Sequence, residues 1–157
     1  MARYANDGMI KVYFVTTIAN KAAPTTTELN AGTDISNFIT KDGLTVPSNQ
    51  NNVANASLAE TFDAELPGSF GGALSMTGIR DAATDTFWNL VVYGTAGYIV
   101  VRRGTATATV WSASQKVEVY PMTWHEPIPV QTASNEQGRF NAMAPVSSQP
   151  NLKATVA

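Results

Sequence analysis

The stretch MIKVYFVTTI (residues 9–18) is apolar on both parities and rich in β-branched and aromatic side chains, the pattern of a strand covered on both faces. Further on the pattern changes. Leu58, Phe62, Ala64 and Leu66 share one parity while Thr61, Asp63 and Glu65 share the other, which predicts a half-buried strand. Pro67-Gly68 supplies turn chemistry, and on the return Leu74 and Met76 oppose Ser75 and Thr77. The expectation is a hairpin over this region with one wet, acidic and hydroxyl-rich face.

DAATDTFWNLVVYG (81–94) predicts a helix of about ten residues that packs on a sheet. Phe87, Leu90 and Val91 form its apolar stripe, Thr84 or Asp85 caps its start, and Gly94 falls where a left-handed C-cap would end it. YIVVRRG (98–104) and KVEVYPMTW (116–124) read as strands, with weaker candidates in GRFNAMAPVSS and the final LKATV. Strands run before and after a single helix with no alternating βαβ order, so the predicted fold is mainly β, antiparallel, with one flanking α-helix.

Between 19 and 57 the chain turns to loop chemistry: Pro24, a threonine run, Asp42-Gly43, Pro47 and the polar run 48–52, with at most a short helical turn near 27–30. A polar loop of this length inside a compact domain is unusual. Residues 41–52 are therefore expected to form an arm or binding loop of a single domain spanning 1–157, which closes in an extended C-terminal segment at 149–157.

Composition sharpens this picture in one respect. Only 14% of residues are charged, against roughly 25% in soluble domains, and the net charge is −2. The surface is short of the groups that keep a lone monomer soluble, and no basic footprint exists for gripping nucleic acid or an anionic membrane. There is no cysteine, so disulfides and thiolate metal sites are excluded. No apolar run approaches a membrane span, and the N-terminal stretch lacks signal-peptide features, so a chain made and kept in a cytoplasm without membrane insertion is expected.

Catalytic chemistry would have to be built on the one histidine, His125, in EVYPMTWHEPIPV. Its neighbour Glu126 cannot easily orient it, because adjacent strand residues face opposite ways. No second histidine, HExxH or EF-hand spacing is present, and the glycines near 68–72 do not join a strand to a helix. No catalytic, metal or cofactor residue is assigned. Pro127 and Pro129 should end ladder pairing and fix an extended exit after His125.

The runs IRDAATDTFWNLVVYGTAGYIVVRRG, QKVEVYPMTWHEPIPVQTASNEQGRF and PNLKATVA, with TELNAGTDISNFIT and ETFDAELPGSFGG upstream, resemble the tail tube (major tail) proteins of long non-contractile-tailed bacteriophages. The resemblance implies a β-sandwich or half-barrel with one flanking helix, assembled as homo-hexameric rings stacked into a tube. It implies strands shared between subunits in an inner barrel, transient non-specific passage of double-stranded DNA, other phage tail proteins at the tube ends, no cofactor and no enzyme activity. The chain would reside in the virion tail after assembly in the bacterial host cytoplasm.

On that reading Thr61, Asp63, Glu65, Ser75 and Thr77 are lumen-facing candidates, since acidic or neutral walls do not hold phosphates. Arg80, Asp81, Arg102, Arg103, His125 and Glu126 are inter-subunit candidates, guanidinium groups being suited to paired contacts with carboxylates. Lys41, Asp42, Asn49 and Gln50 are inter-ring loop candidates. Two other readings stand beside it: a β-sandwich carbohydrate-binding or adhesin-like module using Trp111 and the Thr/Asn-rich loops, and a small hydrolase using His125.

Overall fold

The computed structural model describes residues 3–157. In chain order it forms β1 (Ile10–Val15), α1 (Thr26–Asn30), β2 (Thr33–Asp34), a 3-10 turn (Ser36–Phe38), β3 (Ile39–Thr45), β4 (Asn49–Ala54), β5 (Glu65–Gly71) and β6 (Ala73–Ile79). Then follow α2 (Thr86–Leu90), β7 (Ala96–Arg103), β8 (Lys116–Thr123), β9 (Ile128–Pro129), β10 (Arg139–Pro145) and β11 (Asn151–Thr155). The strands make a five-stranded sheet in the order β11-β8-β7-β1-β2, a four-stranded sheet β3-β6-β10-β9, and a separate two-stranded ribbon β4-β5. Every pairing is antiparallel, and neither large sheet closes on itself.

The two large sheets pack face to face. Val12, Phe14, Ile99, Val101, Tyr120 and Met122 of the five-stranded sheet meet Leu74, Met76, Phe140, Ala142 and Ala144 of the four-stranded one. Trp124, 1% exposed, sits 5.9 Å from the Phe14 ring and 6.2 Å from Phe87, so α2 is held to the sandwich by aromatic contacts. Burying each such ring stabilises the fold by about 1.5–3 kcal/mol. Gly78 lies where a Cβ would run into the Phe140 ring, so this crowding requires glycine.

The outer face of the five-stranded sheet is covered as well. Val15, Val100, Val117, Val119 and Ala154 pack with Leu29 of α1 and with Trp111 from the loop at 104–115. Helix α1 is placed by a capping box: Thr25 Oγ1 accepts from the Glu28 N–H at 3.2 Å while the Glu28 carboxylate accepts from the Thr25 N–H at 2.8 Å. The expected double cover of β1 is present, and both long central strands β7 and β8 share it.

Several local expectations are corrected. There are two short helices rather than one, and α2 is half the expected length because Val91 is already extended. Asp85 precedes α2 in a left-handed conformation (φ 47°) with no side-chain cap, its carboxylate engaged elsewhere, and Gly94 (φ 79°) turns the chain into β7 beyond the helix. Pro67-Gly68 is not a turn: both residues lie inside β5, paired to β4 rather than β6. The polar stretch 41–52 is likewise not an irregular loop, since 41–45 complete β3 and 49–54 form β4. The prolines after His125 do not end pairing, because Ile128 and Pro129 add β9 to the edge of β10.

Candidate assembly surfaces

Two exposed surfaces stand out against this packed body. The first is the ribbon β4–β5 with its connecting loop at 55–64, nearly all of it exposed. Pairing of Val53 with Leu66 puts these two on one face, whereas Phe70, paired with Gln50 beyond a bulge in β5, stands on the other. Asn51 donates to Ser69 Oγ at 3.0 Å on the Val53 face, and Asn52 donates to the Glu65 carboxylate at 2.6 Å on the opposite one. Both faces of the ribbon therefore carry large apolar side chains that stay at least half exposed: Val53 and Leu66 on one, and Phe70, beside Val146 and Leu152 in a shallow cleft, on the other. At the tip Leu58 and Phe62 are free in solvent. A two-stranded ribbon of this kind is marginal alone.

The second surface is the outward face of the four-stranded sheet. Opposite the core-facing Leu74, Met76 and Gly78, β6 presents Ser75 and Thr77, and register places Met143 beside Ser75, Asn141 beside Thr77 and Ile128 beside Asn141. Thr77 Oγ1 lies 3.4 Å from Asn141 Oδ1. Among the described residues no element covers this side as α1 and the 104–115 loop cover the other sheet; its exposed Ile128 and Met143 are uncharged, and Arg139 at the start of β10 shares their face.

The structure separates the lumen-facing candidates. Ser75 and Thr77 belong to that sheet face, whereas Glu65 lies on β5 and Thr61 and Asp63 in the loop at the ribbon tip, so one continuous wet face does not exist. Of the inter-ring loop candidates, Asn49 and Gln50 open the ribbon while Lys41 and Asp42 belong to β3, Lys41 pairing with Asp7 at 3.1 Å.

Arginines proposed to reach other subunits are engaged within the chain. Arg80 binds Asp85 at 2.6 Å and lies over the Trp88 ring, 3.9 Å from its centroid. Asp81 accepts from Ala83 and Thr84, bonds that hold its carboxyl below the usual range. Arg103 binds Glu118 at 2.9 Å, and Glu118 also accepts from the Tyr120 hydroxyl at 2.8 Å.

Arg102 is the clear correction. It is 1% exposed, so it is no surface contact. Its guanidinium donates to the carbonyls of Ala106 and Thr109 at 2.9 Å and to Gln115 Oε1 at 3.0 Å, and stacks over Trp111 at 4.8 Å. Lys11, also buried, donates to the Thr109 carbonyl at 3.2 Å. Burial lowers the pKa of both cations. They tie the 104–115 loop onto the sheet, a use of Arg102 that its place in an Arg-Arg pair does not reveal.

His125 and Glu126 are both exposed; the His125 N–H donates to the Met143 carbonyl at 2.9 Å, and its ring lies 6.5 Å from Tyr93. Trp111 is buried, so it offers no stacking platform to a sugar. Among the described residues no group of His, Asp or Glu is arranged to hold a metal ion, and no helix is long and apolar enough to cross a membrane.

An exposed ribbon carrying Val53, Leu66 and Phe70 and an open, charge-poor sheet face suit a subunit better than a free monomer. The family profile described as Phage tail tube protein matches residues 1–157. The chain belongs to this family. No curated protein matches it. As a phage tail tube protein it is a structural component of the virion tail, in a family that is not normally enzymatic. Membership of the family points to assembly of this tail tube protein with itself into a tube.

Proposed function

We propose that the chain assembles into six-membered rings stacked as a tube, of the kind found in long non-contractile tails, and that the tube conducts the genome into the host cell. The carrying observation is the asymmetry of the two sheets: one is covered on both faces by its own chain, while the other keeps open a face where Ser75, Thr77, Asn141 and Met143 are uncharged and Arg139, at its end, pairs with Glu136. That second sheet, β3-β6-β10-β9, supplies the strands of the shared inner barrel, and joining its edges between subunits removes them from solvent. Ser75, Thr77 and Asn141 then line the lumen, where neutral hydroxyl and amide groups neither neutralise nor bind passing phosphates. The ribbon β4–β5 reaches beyond its own subunit and buries Val53 and Leu66 there. Rings form in the host cytoplasm and meet other tail proteins at the tube ends.

Negative-stain microscopy of the purified chain tests this reading. Rings or tubes with a central channel are expected, and a chain that stays monomeric at every concentration and is absent from phage tails would sink it. Replacing Ser75 and Thr77 by lysine should leave tubes intact and slow DNA ejection.

A further inference from the structure

The charges of this charge-poor chain are segregated in a way that the fold itself does not use. The arm, β4 through β5, contains no lysine or arginine, and its tip carries Glu60, Asp63 and Glu65 beside the solvent-exposed Leu58 and Phe62. Glu60 accepts only from the Ser57 N–H and Glu65 from the Asn52 amide, so among the described residues neither meets a cation. Around β11 the reverse holds. Lys153 stands on β11, Lys116 pairs in register with Thr155 and donates to its hydroxyl at 2.7 Å, and Lys21 donates to Ser148 Oγ and the Gln149 carbonyl.

None of these lysines is in an ion pair among the described residues. Residues 147–157 and 19–24 contain no acid. The nearest carboxylates in the sequence are already occupied, Glu28 by the α1 capping box and Ala19 N–H, Glu118 by Arg103 and Tyr120. Leu152 on β11 is exposed among the lysines.

Among the described residues no ion pair joins the two patches within one copy. The arm's root lies beside β11, where Gln50, Phe70 and Leu152 line one shallow cleft. Six residues of strand at about 3.3 Å each carry the tip ~20 Å away from that root. We infer that the acidic tip of one copy docks on the lysine-bearing margin of β11 in a second copy, with Leu58 and Phe62 covering Leu152. This rests on the tube-assembly reading and assigns the arm its receptor. The contact is heterologous: each copy gives a tip and receives one, so it propagates through an assembly. It also places Asp63 and Glu65 at a subunit contact instead of the lumen.

A charge-swap series on the full chain tests it. Lys116→Glu with Lys153→Glu, and separately Glu60→Lys with Asp63→Lys, should each raise the concentration needed for half-assembly at least tenfold, read by sedimentation and negative stain. All four residues are exposed, so the melting temperature of the monomer should stay unchanged in both sets. Combining the sets should restore tubes. In the wild-type assembly, a zero-length carbodiimide should cross-link Glu60 or Asp63 of one copy to Lys116 or Lys153 of another.

Wild-type tubes with both sets assembling normally, or a combined variant that folds yet stays unassembled, would overturn the docking inference and leave the tube reading standing. Cross-links confined to other acids would overturn it as well. A wild-type chain that makes neither rings nor tubes sinks both.

Discussion

Strand β6 and the ribbon β4–β5 are consecutive in the chain and equally antiparallel, yet they owe their order to different things. In β6 every second residue is buried against the other sheet, and β3 and β10 flank it on both sides. In the ribbon every residue but Gly68 is exposed, and each strand has only the other as partner. The body therefore carries its own hydrophobic core, while the ribbon leaves Val53, Leu66 and Phe70 at least half exposed. Hydrophobic burial separates them, since backbone pairing is common to both.

That contrast can be broken from the body's side first. Trp124→Ala removes the ring that joins Phe14 to Phe87 and should cost about 3–5 kcal/mol in urea unfolding of the monomer. A cost below about 1 kcal/mol, the size expected at unpacked sites, would mean the sandwich is not where the stability resides. Next in size is Arg102→Met. Losing a buried cation's bonds to Ala106, Thr109 and Gln115 should cost roughly 2–3 kcal/mol and speed amide exchange across 104–115. Unchanged exchange in that loop would refute the tie.

A smaller effect is expected from Tyr120→Phe. Its hydroxyl bond to Glu118 should be worth about 1 kcal/mol near neutral pH. Burial first, and then that carboxylate, raise the Tyr120 pKa above its ordinary 10.0. The folded chain thus keeps a proton that the unfolded chain loses as pH rises past 10, so stability is flat below that pH and falls above it. Tyr120→Phe should make the alkaline decline shallower; an identical decline would show that Tyr120 is not its source. Smallest of all for the monomer is Val53→Ser with Leu66→Ser, which should change its stability by no more than about 0.5 kcal/mol per site while abolishing assembly. Loss of monomer stability comparable to Trp124→Ala would erase the contrast between ribbon and body.

Legibility in the sequence follows the same division. Strands β1, β6, β7, β8 and β10 announce themselves because a buried face imposes a period on side-chain polarity, and the antiparallel, mainly β class follows from them. Where nothing is buried, no period exists: NQNNVA reads as loop although it is β4, and Pro67-Gly68 reads as a turn although it lies inside β5. Turn chemistry is local, whereas the ladder from Gln50 to Phe70 is set by partners far apart in the chain. The amphipathic pattern around Phe87 was visible, but the helix stops early because β-branched Val91 is drawn extended into the core.

Among the assembly candidates, only part could be found without coordinates. Ser75 and Thr77 follow from alternation with Leu74 and Met76, and Asn141 and Met143 could have been added by reading GRFNAMAP the same way. The placing of Leu66 and Phe70 on opposite faces of the arm could not, because it depends on the bulge that shifts register between Gln50 and Asn52.

By itself the sequence determined the class of fold, the shortage of surface charge and membership of a tube-forming family, since these rest on periodicity, composition and the order of motifs along the chain. Only the tertiary structure decided that Arg102 is buried under a loop, that Arg80 and Arg103 are spent within their own subunit, and that the acids of 60–65 stand on an arm away from Ser75 and Thr77. The physical reason is that burial and pairing of a charge are properties of the space around it. That space is filled by segments remote in sequence, whose approach no local pattern encodes.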